Sequence, residues 1–410
     1  MNFTSPRVIF FVILSVYVAL QLYLLGRLLG FLKNRIRSPR RTRVCCGAAL
    51  VFFLLMFLPL AWIMLFGLLP HNPYPWPIRA DMLLFAIWAV GSMGSALILL
   101  GSGVIRHMLS RIPQRPKALN LQRRQFLKMG AGAAVAAPFI LSGYGTLVGR
   151  RRFEMEHFDL PLSGLSTSMS QLTVVQLTDI HLGPFMPPEE LAAYVEAVNR
   201  LEPDLIALTG DFISSSPAEV KPCVDVLSGL KARHGIYACL GNHDAYAGVE
   251  EELTRLFAET GVQVLRNDAV SLRIRDTTLN ILGIDDLRWS LPDLPRALQL
   301  AEREAGEVRL LLSHRPEIFP AAAQSGVEVV LSGHYHGGQV KLARDPTGLS
   351  VARLLTPYAE GLFLLPRRHQ PVPGSAKNSV LFVGRGIGIT GLPIRINCPP
   401  QIAHLTLRKA

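Results

Sequence analysis

The segment VEVVLSGHYHGG (residues 327–338) joins an apolar, β-branched run to two histidines, His334 and His336, set among glycines. An apolar run of this composition predicts a buried β-strand. The two imidazoles that follow it are either part of a polar loop or half of a metal site. In a strand, residues i and i+2 point the same way, so the spacing predicts that both rings face one pocket.

Other apolar runs along the chain also end in polar residues. These strand candidates are LTVVQLTDIH (172–181), LIALTGD (205–211), GIYACLGNHD (235–244), LNILGIDD (279–286) and VRLLLSHRP (308–316), with SVLFVGRGIG (379–388) and QIAHLTL (401–407) as closing strands. Helical patterns occupy 187–203, 217–231 and 249–260. Strands that alternate with helices predict a largely parallel sheet. In such sheets, ligands bind at the carboxyl ends of the strands.

The polar residues at these strand ends have the chemistry of metal ligands. They are Asp179, His181, Asp211, Asn242, His243, Asp244, His314, His334 and His336. Carboxylate, imidazole and amide oxygen suit Zn, Mn or Fe without a thiolate. A lone Asp211 on a central strand can bridge two cations, and a pair of cations can clamp a phosphoryl group and activate a water. The glycines are predicted to give metals and phosphate access to the backbone.

The series DIH, GD, GNHD, SHRP and GHYH, over about 175–340, resembles the calcineurin-like metallophosphoesterases. GHYHGGQV and GRGIGITGLPIRINCPPQI (384–402) are similar to the membrane-associated phosphodiesterase branch typified by bacterial YkuE and YaeI proteins. The resemblance implies an α/β fold, a four-layer α-β-β-α sandwich over residues 150–410. It also implies a water or hydroxide nucleophile held between two divalent metal ions, which are Mn, Zn or Fe.

The resemblance also assigns roles to residues. One metal ion would be held by Asp179, His181, Asp211 and His336, and the other by Asp211, Asn242, His314 and His334. His243 would stabilise charge or protonate the leaving oxygen, and Asp244 would orient it. Arg385 is either an anion-binding residue or a structural surface arginine.

Residues 1–149 are predicted to form a transmembrane module. Apolar stretches over about 8–32, 44–69, 82–105 and 129–148 are each long enough to cross a bilayer as a helix. Residues 1–150 contain 17 lysines and arginines and one acid, Asp81, whereas residues 151–410 contain 25 basic and 29 acidic residues. The basic pI therefore belongs to the membrane module, and nucleic acid is not an expected partner.

Loop charges predict the orientation of this module. Loops 33–43 and 106–128 carry six and seven basic residues, whereas loop 70–81 carries only Arg79 beside Tyr74 and Trp76. The positive-inside rule then places the C-terminal domain outside the cytoplasm, that is, on the periplasmic side of a bacterial inner membrane. QRRQFLK (122–128) resembles a twin-arginine export signal and agrees with this side, whereas the three arginines at 150–152 favour the opposite one.

The function expected from these features is a membrane-anchored, dinuclear metal-dependent phosphodiesterase with a phosphoester substrate, lipid-linked or from the envelope. Membrane lipid is the other expected partner. A cytoplasm-facing nucleotide-diphospho-lipid pyrophosphatase is the alternative enzyme. A membrane sensor or scaffold with a decayed phosphoesterase domain is the alternative that is not an enzyme. All the metal-site positions that the resemblance requires are filled, which favours an enzyme.

Overall fold

The computed structural model describes residues 6–60, 76–111, 121–162, 165–167, 169–302, 307–366 and 378–409. The chain divides into two compact units. The first consists of Met1–Leu68 and Ala80–Leu147, and the second consists of Leu69–Arg79 and Val148–Ala410.

The first unit is helical. Its long helices are α1 (Pro6–Arg35), α2 (Pro39–Leu55), α3 (Trp76–Ser110) and α4 (Leu121–Tyr144), and a π-helical turn (Gly145–Gly149) follows. Within the described residues, four segments are long and apolar enough to cross a membrane: 14–35, 39–60, 80–110 and 121–149. The prediction of four apolar helices is therefore confirmed.

The boundaries of the predicted loops differ from the structure. Residues 76–81, predicted as loop, are the first turns of α3, and the QRRQFLK motif lies on the first turns of α4. Residues 61–75 and 112–120 lie outside the described residues. A helix that begins before its apolar segment leaves no break in composition, so hydropathy alone does not locate its first residue.

Small residues let the helices of the first unit approach closely. A Cβ at Gly91 would lie 2.5 Å from Phe139 on α4, and one at Gly94 would lie 2.7 Å from Pro138. Ser95 Oγ donates to the Val135 carbonyl at 2.6 Å. Close packing and interhelical hydrogen bonds hold helices together where the hydrophobic effect cannot, as inside a bilayer.

The second unit contains two six-stranded mixed sheets. In chain order the strands are β1 (Glu154–Leu162), β2 (Thr173–Leu177), β3 (Leu205–Thr209), β4 (Ile236–Cys239), β5 (Val262–Val264), β6 (Asp268–Ile274), β7 (Thr277–Gly283), β8 (Val308–Leu312), β9 (Val329–Ser332), β10 (Gly361–Pro366), β11 (Asn378–Val383) and β12 (Gln401–Lys409). The sheet orders are β1-β12-β2-β3-β4-β5 and β10-β11-β9-β8-β7-β6. Strands β2 to β5 run parallel to one another in the first sheet, and β7, β8, β9 and β11 do so in the second.

Helices cover the outer faces of both sheets. The helices of this unit are α5 (Pro188–Asn199), α6 (Val220–Leu227), α7 (Asn242–Tyr246), α8 (Glu250–Glu259), α9 (Leu294–Leu300), α10 (Phe319–Gln324) and α11 (Val351–Leu355). One core lies between the first sheet and α5, α6 and α8, a second between the two sheets, and a third between the second sheet and α9 and α10. This is the predicted α-β-β-α sandwich.

Alternation along the strands explains how one sheet serves two cores. On β3, Ile206 and Leu208 face the helices, whereas Leu205 and Ala207 face the other sheet. On α5, buried Leu191, Tyr194, Val195 and Val198 recur at helical spacing. Full burial of each large apolar side chain contributes about 1.5–3 kcal/mol.

The strands are shorter than the sequence predicts. β2, β3 and β4 end at 177, 209 and 239, two to five residues before the predicted ends, and residues 242–246 form helix α7. The polar residues therefore lie beyond the strands, in the connections. Strands β1, β5, β6 and β10 were not predicted from the sequence, because they are edge or edge-adjacent strands with polar or short patterns.

Candidate metal centre

The predicted ligands follow the carboxyl ends of five parallel strands. Asp179 and His181 follow β2, Asp211 follows β3, and Asn242 follows β4, while His314 follows β8 and His334 and His336 follow β9. The two sheets are joined at this edge, where Gln176 Nε2 donates to the Ser332 carbonyl at 2.9 Å. Residues that are up to 157 positions apart thus meet at one place, as the strand-end rule predicts.

Five of these residues have a left-handed backbone. The φ angles are +51° at Asp179, +47° at His181, +57° at Asp211, +77° at His334 and +50° at His336. The prediction that strand alternation aims the rings at one pocket is therefore wrong in its mechanism, because these residues are not in strands. Left-handed conformations are uncommon for residues other than glycine, and they gather at functional sites where the surrounding fold compensates the strain.

One group of possible metal ligands consists of Asp179, His181 and His336, all of them buried. His336 Nε2 lies 3.1 Å from Asp179 Oδ1 and 3.1 Å from His181 Nε2. Two imidazole nitrogens and a carboxylate oxygen so close together can all contact one cation.

A second group consists of Asp211, His314 and His334. Asp211 Oδ2 lies 3.2 Å from His314 Nε2 and 3.5 Å from His181 Nε2 of the first group. The Asp211 carboxylate therefore lies between the two groups and would be shared by ions held in both. Asn242 is also buried, and its Oδ1 accepts a hydrogen bond from Arg315, which contacts His334 of the second group as well.

The donor set of the second group fits a cation. His314 Nδ1 faces the Thr209 carbonyl at 2.8 Å, and because a carbonyl only accepts, this nitrogen carries the proton. The buried Nε2 then faces the Asp211 carboxylate, 3.2 Å from its Oδ2. A ring nitrogen and a carboxylate oxygen that face each other need a proton or a metal ion between them. The hydrogen bond from Nδ1 to a carbonyl is the one that usually orients a metal-bound histidine.

Electrostatics agree with this reading. Burial acts to lower the pKa of His314, but the charge and hydrogen bond of Asp211 outweigh it and raise the pKa to about 10. Burial acts to raise the pKa of Asp211, yet the nearby histidines hold it well below its usual range. Burial lowers the pKa of both His181 and His334. Ionised carboxylate and neutral imidazole bind metal ions, so His181 and His334 are in the binding form, whereas a metal ion at His314 would have to displace a proton.

His243 is oriented by residues that the sequence did not indicate. Its Nδ1 lies 2.5 Å from the Ser214 carbonyl and contacts the Tyr246 hydroxyl, and its backbone N–H donates to Asp211 Oδ1 at 2.8 Å. The ring is partly exposed and lies edge-on to His181, with 4.4 Å between the centroids. With Nδ1 facing the carbonyl, Nε2 is the nitrogen that could face a substrate, and Thr390 Oγ1 lies 3.5 Å from it.

Asp244 makes its hydrogen bonds elsewhere than predicted. Its carboxylate accepts backbone N–H groups of Gly241, Asp211 and Phe212 at 2.9–3.0 Å. Asp244 therefore holds the loops after β3 and β4 together, and the expected bond to the His243 ring is not among its contacts. Burial and the charge of Asp211 raise the pKa of Asp244 to about 7.

The glycines of the motifs provide clearance for protein atoms. A Cβ at Gly333 would lie 2.1 Å from Thr178 Oγ1 and 2.2 Å from Asp179 Oδ2, and one at Gly241 would lie 2.2 Å from Asp211 Oδ1. The predicted reason, access for metals and phosphate, is therefore incomplete. These glycines let two ligand-bearing loops come into contact.

Sequence reasoning missed Arg315 and Asp286. Arg315 Nη1 lies 2.6 Å from His334 Nε2, Nη2 donates to Asn242 Oδ1 at 3.1 Å, and Nε donates to Asp286 Oδ2 at 2.8 Å. Asp286 closes the predicted strand LNILGIDD, so the strand-end rule gave a signal for it. Arg385 is buried and lies 2.8 Å from the Glu156 carboxylate, a contact that favours the structural alternative, although the side chain is not at the surface.

The sequence profile described as calcineurin-like phosphoesterase matches residues 172–338. A Helicobacter pylori protein named uncharacterized metallophosphoesterase is 30% identical over 291 residues, which are 69% of this chain and 71% of that protein. The Bacillus subtilis metallophosphoesterase YkuE is 28% identical over 300 residues, 70% of this chain and 98% of that protein. A Bos taurus transmembrane protein with metallophosphoesterase domain is 28% identical over 306 residues, 71% of this chain, and the match spans only 65% of the bovine protein.

Proposed function

The chain belongs to the calcineurin-like metallophosphoesterase family, and on that premise we propose that it is a membrane-anchored phosphodiesterase with a dinuclear metal centre. The observation that carries the proposal is the position of Asp211. Its Oδ2 lies within 3.5 Å of imidazole nitrogens from both candidate ligand groups. A single carboxylate shared between two ligand sets is what a two-ion site requires.

The residues present define which side chains would hold the ions. Asp179, His181, Asp211 and His336 would hold one, and Asp211, Asn242, His314 and His334 the other. When bound, the two ions supply charge neutralisation at the phosphate and lower the pKa of a water to generate the nucleophile. Mn, Zn and Fe all suit imidazole and carboxylate ligands.

His243 is the proposed general acid. Ser214 and Tyr246 hold its Nδ1, and Thr390 Oγ1 lies 3.5 Å from its Nε2. In its doubly protonated form the ring would give the Nε2 proton to the leaving oxygen, a task that contributes roughly 10²–10⁴-fold to the rate. Asp244 is a positioning residue, because it fixes the backbone that carries Asp211 and His243.

The proposed substrate is a lipid-linked or envelope phosphodiester, and the proposed location of the catalytic unit is the periplasm. Four helices long and apolar enough to cross a membrane would tie the catalytic unit to a bilayer, which favours a lipid-linked or envelope phosphodiester. The basic residues of loops 33–43 and 106–128 favour a periplasmic catalytic unit in a bacterial inner membrane.

Alkaline phosphatase and green fluorescent protein, each fused after residue 410, test this orientation. Phosphatase activity supports the periplasm, and fluorescence supports the cytoplasm and the pyrophosphatase alternative.

The activity is tested with full-length protein in detergent, assayed on bis-p-nitrophenyl phosphate with Mn²⁺. Asp211→Asn should lose at least ~10³-fold in turnover, because it removes the shared ligand. Asp225→Asn, which changes an exposed carboxylate paired with Lys221, is the matched control and should retain activity. Absence of turnover in the wild type, together with no bound transition metal, would favour the sensor or scaffold alternative.

A further inference from the structure

We propose that an aliphatic surface beside the candidate metal centre inserts into the lipid bilayer. The surface, termed the leucine surface, consists of Leu342, Leu349, Val351, Leu354 and Leu355. The proposal rests on the proposed function only for its consequence, that the substrate is a lipid. The contact with the bilayer stands on the structure of the surface itself.

The five side chains are exposed and adjacent. All are more than half exposed, with Leu342 at 78% and Leu354 at 76%. The Leu342 N–H donates to the Leu349 carbonyl at 3.0 Å, so these two residues lie on paired segments. Val351, Leu354 and Leu355 are spaced i, i+3 and i+4 on α11 and share one face of it. A contiguous exposed apolar patch marks an interaction site, unlike leucines scattered singly.

In the part of the chain that carries the leucine surface, polar side chains are buried and leucines are exposed. Lys341 is 2% exposed and its ammonium contacts the Glu360 carboxylate, whereas its neighbour Leu342 points outward. Ser350 is also buried and caps α11 by accepting the Arg353 N–H at 3.4 Å. Polar groups beneath and leucines outside are the arrangement expected of a segment whose outer surroundings are apolar.

The leucine surface adjoins the metal centre. Gly338 follows His336 by two residues, and a Cβ at Gly338 would lie 2.6 Å from Ser350 Oγ and 3.3 Å from Ala352 Cβ. The start of α11 therefore packs directly on the loop that carries a proposed ligand. A surface docked on a bilayer would bring this loop to the level of lipid head groups.

Charge favours an anionic bilayer as the occupant. Residues 341–366 contain three basic and two acidic residues, and Arg367 and Arg368, outside the described residues, follow them in the sequence. The whole domain (151–410), in contrast, has four more acidic than basic residues. Lys341 and Glu360 pair internally, and Arg344 pairs with Glu154 at the surface. Aliphatic side chains with a local basic excess are typical of surfaces that bind anionic membranes. The same chain provides four helices able to anchor it there.

Docking of the leucine surface on the bilayer would affect which substrates reach the metal centre. A lipid whose phosphodiester lies in the head-group layer could reach the centre without leaving its leaflet. The bilayer contact would then select lipid phosphodiesters over soluble ones by local concentration.

The test uses the full-length protein in nanodiscs of anionic phospholipid. An environment-sensitive fluorophore is attached to Leu354→Cys in a Cys45→Ser/Cys46→Ser background, and lipids with brominated acyl chains serve as quencher. The label should shift to the blue and lose fluorescence in brominated nanodiscs. The same label on Leu291→Cys, an 85% exposed leucine outside the surface, should do neither.

A label at 354 that is not quenched overturns the proposal. A blue-shifted label whose fluorescence is the same in brominated and unbrominated nanodiscs also overturns it. The surface would then be covered by protein, either a second copy or another segment of this chain. Arg353→Gln should reduce the docked population about fivefold in anionic nanodiscs and not in zwitterionic ones.

Fluorescence quenching measures docking of the leucine surface on the bilayer, and turnover measures phosphodiesterase activity, so the two can be tested independently. Quenching reports docking even if the protein hydrolyses nothing, so quenching without turnover would reject the proposed function and retain this inference. If both hold, Leu354→Asp/Leu355→Asp should lower the ratio of turnover on a phosphodiester lipid in nanodiscs to turnover on bis-p-nitrophenyl phosphate. An unchanged ratio would reject lipid selection by this surface.

Discussion

The guanidinium of Arg315 lies against the imidazole of His334, with 2.6 Å between Nη1 and Nε2. The same guanidinium reaches Asn242, and the buried carboxylate of Asp286 holds it in place. His334 and Asn242 are both proposed ligands of the second metal ion. A fixed positive charge therefore lies against two of the proposed ligands of the second metal ion.

Arg315 is expected to oppose binding of the second metal ion, because like charges a few ångströms apart repel strongly in a buried site. Arg315→Gln should raise the affinity for the second ion by about tenfold or more, without a similar effect on the first. Titration of the metal-free full chain with Mn²⁺, followed by calorimetry, measures both sites. Arg288→Gln removes an exposed charge from the nearby segment and is the control. Equal second-site affinity in wild type and Arg315→Gln would contradict the prediction.

Removal of Arg315 should also cost stability, because Asp286 is then left buried without its cationic partner. A loss of about 3–5 kcal/mol in the free energy of unfolding is expected. Asp286→Asn combined with Arg315→Gln should recover a large part of this loss, since the unpaired charge is gone. Denaturant unfolding of the four forms gives the coupling energy, and additive effects would show that the pair is not coupled.

The metal-free protein should become less stable as pH rises. The pKa of His314 is about 10 in the folded chain, against about 6.5 in an unfolded one. The folded state therefore holds this proton more tightly, so the contribution to stability is complete below about pH 6.5 and is lost as pH rises through 10. Thermal unfolding in a chelator between pH 7 and 10 tests it, and His314→Asn should flatten the slope. Stability that rises with pH in the chelated wild type would oppose the prediction.

Metal binding should release the same proton. A metal ion and a proton compete for Nε2 of His314, so the apparent affinity should rise about tenfold per pH unit between pH 6.5 and 9. Calorimetry in buffers of different ionisation enthalpy counts the protons released. A count of zero at pH 8 would mean that His314 is neutral before the ion arrives.

His243 and Tyr246 should separate catalysis from metal binding. His243→Gln should lower turnover by roughly 10²–10⁴-fold while both ions remain bound, because the ring is proposed to transfer a proton and not to ligate. Tyr246→Phe should cause a smaller loss, since Ser214 still holds Nδ1. Metal content by mass spectrometry accompanies each assay. Loss of an ion in His243→Gln would assign the ring a ligand role instead.

Gly333→Ala should damage the fold of the centre. The added methyl would lie about 2 Å from Thr178 and Asp179, and overpacking of this kind costs about 1–3 kcal/mol. Gly229→Ala, whose nearest contact would be 3.3 Å away, is the milder control. Unfolding of both variants is measured with and without Mn²⁺. Equal stability of Gly333→Ala and wild type would show that the loops can separate at little cost.

The sequence by itself determined the four long apolar helices, the alternation of strands and helices, and the set of candidate ligands. Each follows from local order along the chain, whereas the four-layer sandwich was implied by the family resemblance. Apolar length indicates a bilayer span, and a polar residue after a buried strand lies at the shared carboxyl edge of a parallel sheet. Asp179, Asp211 and His336 could be placed at one edge on that rule alone.

Only the tertiary structure decided how these residues are held. The left-handed turns at Asp179 and His336, the backbone bonds of Asp244 and the reach of Arg315 to His334 depend on contacts between distant loops. Strand periodicity fixes the face on which a side chain lies, but it ends where the strand ends. Beyond that point the direction of a side chain is set by packing and charge from other parts of the fold, which local spacing does not encode.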